Sequence, residues 1–184
     1  MSQSDTKQRL INSAIKIFSE KGFFNTKVSD IVKDAGVAQG TFYIYFKSKE
    51  DIFIYIIETI TAQIENIIKE NKSLNLPIDK KLEKFNSELF SLLYKYKNIG
   101  RIFFFQLLCI DEKFKNIFLQ TNKKISQFYL ELFKEYKEKE LITDLFMGFG
   151  KRLFEFSILI EDKPLEEILT EYKKGIKVIL GGLK

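Results

Sequence analysis

The chain has 184 residues, of which 45% are apolar and 30% charged, with a net charge of +5, two prolines, nine glycines, one cysteine and no histidine. That length suits one small domain plus a modest second one, and the scarcity of proline and glycine suits an all-helical chain. Without histidine there are no histidine triads, histidine metal sites or imidazole acid–base chemistry, and a lone cysteine builds neither an internal disulfide nor a thiolate cluster.

No apolar run reaches the ~18 residues of a membrane span. The longest, IFFFQLLCI at 102–110, is interrupted by Gln106. The first ten residues, MSQSDTKQRL, lack the apolar stretch of a secretory signal. With one cysteine, this composition points to a cytoplasmic protein that does not enter the membrane. Residues 1–50 carry eight Lys/Arg against five Asp/Glu, whereas residues 51–184 carry 22 against 20. Positive charge is therefore denser in the first part, as phosphate binding or plain solvation would have it.

A first helix is predicted from about Asp5 to Lys21, with Leu10, Ala14, Ile17 and Phe18 inward. Gly22 can end it, Phe23 and Phe24 fold beneath the unit that follows, and Thr26 is placed to cap a second helix. Thr26 and Lys27 also sit at that helix's N-terminus, where backbone N–H groups favour a phosphate oxygen; cap and phosphate contact are compatible. Val28, Ile31, Val32 and Ala35 then follow an i, i+3, i+4, i+7 spacing, and Gly36 suits the left-handed residue that closes such a helix.

A third, short helix starts near Gln39, with Phe42 and Phe46 one turn apart and inward. Two short helices across a glycine turn make a helix-turn-helix, whose second helix fits the major groove of double-stranded DNA. The 100° step per residue turns Gly40, Thr41 and Ile44 outward, with Tyr43 and Tyr45 flanking. Gln39 matches the N6/N7 edge of adenine, and Thr41 or Ile44 can meet a thymine methyl. Tyr43, Tyr45 and Lys47 suit phosphates, which fix register without reading sequence. Gly40 lets the backbone approach closely.

The segment GVAQGTFYIYFKSKEDI (36–52) resembles the signature of TetR-type transcriptional regulators, A-G-V-S-x-G-T-(L/F)-Y-x-(H/Y)-F-x-(S/N)-K-x-x-L, and AIKIFSEKGFFNTKVSDIVKDAGV before it is similar to that family's first two helices. The match runs over residues 7–55. Ala38 stands where Ser is common, Gln39 where a basic residue is frequent and Tyr45 where His is frequent. The resemblance implies that positions 39, 41 and 44 read bases while Tyr43, Lys47 and Lys49 meet the DNA backbone. It also implies a repressor that dimerises through its last two helices and carries a ligand-binding body.

Ser48 to Asp51 reads as a capping box for a fourth helix continuing to about Asn71, roughly 30 Å long. NKSLNLP (71–77) breaks the chain. A fifth helix follows from about Asp79 to Lys97, IFFFQLLCI is read as a buried helix, and another runs from about Asp111 to Lys139. Leu145 to Ile160 is read as the next, with Phe146, Phe149, Leu153, Phe154 and Phe156 inward, and Pro164 opens a last amphipathic helix. The expected fold is all-α with about nine helices: a three-helix helix-turn-helix domain over residues 1–50 and a helical ligand-binding and dimerisation domain over 51–184.

The two C-terminal helices are expected to pair a homodimer, because one short recognition helix needs a second copy on a palindromic site. Gly148 and Gly150 would allow close approach there, or mark a kink. Phe103, Phe104, Phe105, Phe128, Phe149 and Phe156 are candidate walls for an apolar effector of long-chain acyl or another flat type, with Gln106 and Arg152 to orient its head group. No catalytic residue, metal site or cofactor is expected: FMGFGKR (146–152) has neither phosphate-loop spacing, and the carboxylates sit beside lysines. Two other readings share the scaffold: a DNA-binding structural or cell-cycle factor with a filled body, and a helical lipid carrier or enzyme.

Overall fold

The computed structural model describes residues 3–182, with side chains from Asp5 onward. The described residues form nine α-helices: α1 Gln3–Asn25, α2 Val28–Ala35, α3 Gln39–Tyr45, α4 Lys49–Lys72, α5 Ile78–Lys95, α6 Lys97–Ile102, α7 Glu112–Leu132, α8 Lys139–Arg152 and α9 Leu165–Gly181. Two continue as π-helical turns, α6 over Phe103–Leu107 and α8 over Leu153–Ile160. The chain separates into two compact units. Met1–Ile60 with Asn98–Phe114 form the head, and Thr61–Lys97 with Lys115–Lys184 form the body.

In the head, the inner stripe of α1 is buried as its spacing requires: Leu10, Ala14, Ile17 and Phe18 lie in the core. Gly22, at φ 73° and ψ 173°, kinks the end of α1, a backbone conformation that residues with a Cβ rarely adopt. Phe18, Phe23 and Phe53 pack with ring centroids 5.2–5.7 Å apart. Phe114 adds an edge contact to both Phe53 and Phe103. Phe24 departs from expectation: it is 62% exposed, because beyond the kink only Phe23 of the pair faces the core.

The IFFFQLLCI run is helical, but not buried throughout. Ile102, Phe103 and Leu107 are buried while Phe105, Cys109 and Ile110 are exposed. The π turn is defined by the Leu108 N–H donating to the Phe103 carbonyl, five residues back, at 2.8 Å.

In the body, α5 packs along α9, and α8 with its π extension packs on α9. Aromatic rings fill much of the interior. Phe85 stacks on Phe128 at 4.1 Å, Phe133 on Phe146 at 5.3 Å, and Tyr129 on Phe146 at 5.8 Å. Two buried phenols share this interior. Tyr129 donates to Asn86 Oδ1 at 2.8 Å, and its oxygen lies 3.4 Å from that of Tyr172.

α7 stops at Leu132, short of the expected Lys139. The cause is the exposed stretch KEYKEK (134–139), which brings almost no apolar surface to bury; the Tyr136 N–H turns back to the Phe133 carbonyl at 2.9 Å. The next helix accordingly starts at Lys139, six residues before the expected Leu145.

Candidate nucleic-acid interface

The segment from α2 to α3 is a helix-turn-helix. Ile31, Val32 and Ala35 are buried along α2. Gly36 adopts the left-handed conformation (φ 63°, ψ 41°), and the Val37 N–H returns to the Val32 carbonyl at 3.0 Å, a Schellman closure. α3 is anchored by Phe42 and by Phe46 just beyond it, both buried with ring centroids 5.8 Å apart.

That anchoring decides what α3 presents. Ile44 is 74% exposed and Tyr43 53%, with Gln39 and Gly40 exposed and Thr41 and Tyr45 half-buried. A β-carbon on Gly40 would meet no atom within 4 Å, so the space over this end of α3 is open. Lys27 and Lys47 are exposed on the segments flanking the motif.

The carboxylates of α2 are neutralised from α1. Asp30 pairs with Lys21 at 3.0 Å and accepts the Lys27 N–H at 3.0 Å, and these two partners hold its carboxyl below the usual range. Lys16 pairs with Asp34 at 2.5 Å, and with Ser13 it lowers that carboxyl as well. The exposed lysines around α3 therefore keep their charge for an anion.

Two expected contacts fall elsewhere. Thr26 does not cap α2: the N-cap is Lys27, and the Thr26 hydroxyl is buried and donates to the Gly22 carbonyl at 2.7 Å. Lys49, expected on the DNA backbone, turns its ammonium inward. It donates to the carbonyls of Phe23 (2.9 Å), Thr26 (3.1 Å) and Phe24 (3.3 Å) and sits 4.7 Å from the centre of the Phe23 ring. Helix α4 starts much as its capping box predicts. The Asp51 N–H donates to Ser48 Oγ at 3.3 Å, while the Asp51 carboxylate accepts from Lys47 N–H at 2.8 Å.

Sequence reasoning missed Arg9. From α1 its Nε donates to the Ala35 carbonyl at 3.1 Å and its Nη2 to the Gly36 carbonyl at 3.0 Å, bracing the turn before α3. No local pattern signals a contact across 26 residues.

The residues expected to wall one effector cavity are divided between the two units. Phe103, Phe104 and Gln106 belong to the head, and Phe128, Phe149, Arg152 and Phe156 to the body. Phe103 is buried against Phe114, and the Gln106 amide lies beside Gly22, its Oε1 buried without a hydrogen bond. Within the body, Phe128 is buried under Phe85, and Phe149 stacks on Tyr172 at 5.6 Å. Arg152 and Phe156 are exposed, the guanidinium lying 4.1 Å over the ring. Phe156 thus faces outward rather than inward. Among the described residues, no helix is long and apolar enough to cross a membrane, and no group of three His, Cys, Asp or Glu converges as metal ligands would.

Residues 10–56 match the family model of bacterial regulatory proteins of the tetR family, and residues 80–179 match a tetracyclin repressor-like C-terminal domain. A crystal structure of a transcriptional regulator from Aquifex aeolicus is 31% identical, covers 95% of this chain and 99% of its own, and superposes with a TM-score of 0.80. The negative transcriptional regulator IcaR of the biofilm operon icaADBC in Staphylococcus aureus is 30% identical over 135 residues, 68% of this chain and 70% of that protein. The fatty acid metabolism regulator protein of Bacillus subtilis is 36% identical over 92 residues, 50% of this chain and 47% of its own. With its braced helix-turn-helix and matches along both parts of its length, the chain belongs to the TetR family of DNA-binding transcriptional regulators.

Proposed function

We propose that the protein is a dimeric repressor that holds a palindromic operator with two copies of α3 and leaves it when an apolar effector enters the body. The observation carrying this reading is the outer face of α3. Ile44 and Tyr43 stand in water between Gln39 and Lys47, on a helix whose other side is pinned by Phe42. Such a face is wasteful unless something covers it, and a major groove offers thymine methyls and adenine edges to this set. Gln39, Thr41 and Ile44 are assigned to bases; Lys27, Tyr43, Tyr45 and Lys47 to phosphates; and Gly40 to close backbone approach.

A second copy is assigned to the outer face of α8 and α9. Leu141, Leu145, Phe156, Ile160 and Val178 are all exposed there, and Leu145 and Val178 rim a shallow depression floored by Gly148, Phe149 and Gly175. An apolar patch of this kind on one pair of helices suits an isologous contact. Repression is supported by the negative regulator among the relatives, and an acyl-type effector by the fatty acid regulator. The body also buries the Thr143 hydroxyl without a hydrogen bond, a group that a ligand's polar atom could satisfy.

The test uses a duplex selected by the purified protein from a random pool. Two chains should bind per selected palindrome, and palmitoyl-CoA should raise the melting temperature and release the duplex together, since linkage makes the two ligands oppose each other. A body that binds no acyl-CoA, on a protein that still binds its duplex, would favour the structural-factor reading.

A further inference from the structure

We infer that Lys49 and Arg9 are positioning residues: two cations that set the angle of α3 by gathering the carbonyls of the turns on either side of α2, neither of them touching DNA. The inference rests on DNA binding by α3 and goes beyond it by assigning roles that the signature lysine does not suggest.

Both turns expose carbonyl oxygens that no helix can satisfy. α1 ends in the kink at Gly22, so the carbonyls of Phe23, Phe24 and Thr26 are left at the negative end of its dipole. Lys49, in the first turn of α4, supplies an ammonium to all three at 2.9–3.3 Å. An ammonium has three N–H groups, and these contacts occupy them all. No donor is left for a phosphate oxygen, and withdrawing one would strand a half-buried carbonyl. Its place over the Phe23 ring adds a cation–π attraction to the same position.

Arg9 does the same at the other end of α2. The Ala35 and Gly36 carbonyls point back toward α1 because Gly36 is left-handed, and the planar guanidinium reaches both. Its Nη2 lies 3.2 Å from where a β-carbon on Gly36 would stand, so cation and turn are fitted to one another. α2 is thereby held at its entry by Lys49 and at its exit by Arg9. α3 follows after three residues, so its direction is inherited from those two fixed turns.

The salt dependence of binding separates a clamp from a phosphate contact. Each phosphate contact contributes about 0.9 to the slope of log affinity against log salt, whereas a clamp contributes nothing. For Lys49→Ala, affinity for the selected duplex should fall roughly tenfold or more with the slope unchanged, since hydrogen bonds to a charged group are lost without any ion release. Lys47→Ala should lower the slope by about 0.9 in the same assay. Lys49→Arg keeps the charge on a planar fork that cannot serve three converging carbonyls, so it should bind as weakly as the alanine variant, again with the slope unchanged. It also keeps the test open if Lys49→Ala does not fold. Arg9→Lys should behave likewise.

The inference is overturned if Lys49→Ala flattens the slope, if Lys49→Arg restores full affinity, or if either variant binds as the wild type does while only melting lower. A wild-type protein that ignored every duplex would instead sink the DNA-binding reading.

Discussion

Gly175 of α9 lies against the ring of Phe149 of α8: a β-carbon at Gly175 would stand 2.1 Å from one ring carbon and 2.6 and 2.9 Å from two others. The ring cannot slip away freely, because its other face stacks on Tyr172 with planes 14° apart. Gly175→Ala should therefore destabilise the body by about 1–3 kcal/mol through overpacking. In a Phe149→Ala background the same change should stabilise, by up to about 1 kcal/mol of helix propensity. Thermal melts of the four proteins check this; equal effects in both backgrounds would refute the contact.

The outer face of α8 and α9 makes its own prediction. Val178 is 75% exposed and Leu145 48%, so replacing either costs the free chain little, whereas a buried carboxylate is costly in a dimer core. Val178→Glu and Leu145→Glu should give folded monomers at micromolar concentration that bind the selected palindrome at least tenfold more weakly, as sedimentation and fluorescence anisotropy would show.

On α3, the base-reading and phosphate-binding assignments differ in what they do to preference. Gln39→Ala should cost about 1–3 kcal/mol at one base pair and relax the choice there. Tyr43→Ala should weaken all duplexes alike. Competition assays with single-base variants of the selected duplex distinguish the two, and a uniform loss for Gln39→Ala would remove it from the set of base readers.

The buried phenols predict alkaline sensitivity. Burial pushes the Tyr129 phenol up to about 12, and Tyr172 is also raised well above the ordinary 10.0. Above pH 10 the unfolded chain loses protons that the native body retains, so stability should fall as pH climbs from 10 toward 12. Absorbance near 295 nm should show these two tyrosinates forming only with unfolding. Tyr129→Phe should soften that fall, while leaving Asn86 Oδ1 unpaired at a cost of about 1–3 kcal/mol at neutral pH.

Acid acts on the head in the opposite sense. Asp30 and Asp34 are held below their ordinary 3.8 by lysine partners. Their stabilisation is present above that pH and is lost as pH falls through the lowered values. Asp34→Asn should melt lower at pH 6 and show a smaller further drop on acidification, followed by circular dichroism.

The α2–turn–α3 motif was legible because its determinants are local. The apolar spacing of α2, the single residue type suited to φ 63° at Gly36 and the Phe42–Phe46 pair all lie within nineteen residues of one another. Lys49 and Thr26 were misjudged for the converse reason. Each has a plausible local partner in sequence, a phosphate beyond α3 or the N-cap of α2, but the real partners of Lys49 are 23–26 residues away. The fate of the phenylalanines was unreadable on similar grounds. Phe128 finds Phe85 across 43 positions, and nothing in its surroundings distinguishes a core ring from a pocket wall.

The π turn after α8 carries a consequence for how this chain can vary. Ile160 is seven residues beyond the buried Leu153, a separation that shares one face in an ordinary helix, yet it is 57% exposed. The cause is the wider winding, seen in the Glu161 N–H donating to the Phe156 carbonyl at 2.8 Å. Deleting a single residue between 153 and 160 would let the segment relax to regular winding and swing everything downstream by about 100°. Descendants of this gene should therefore keep the spacing here fixed even where they exchange the side chains.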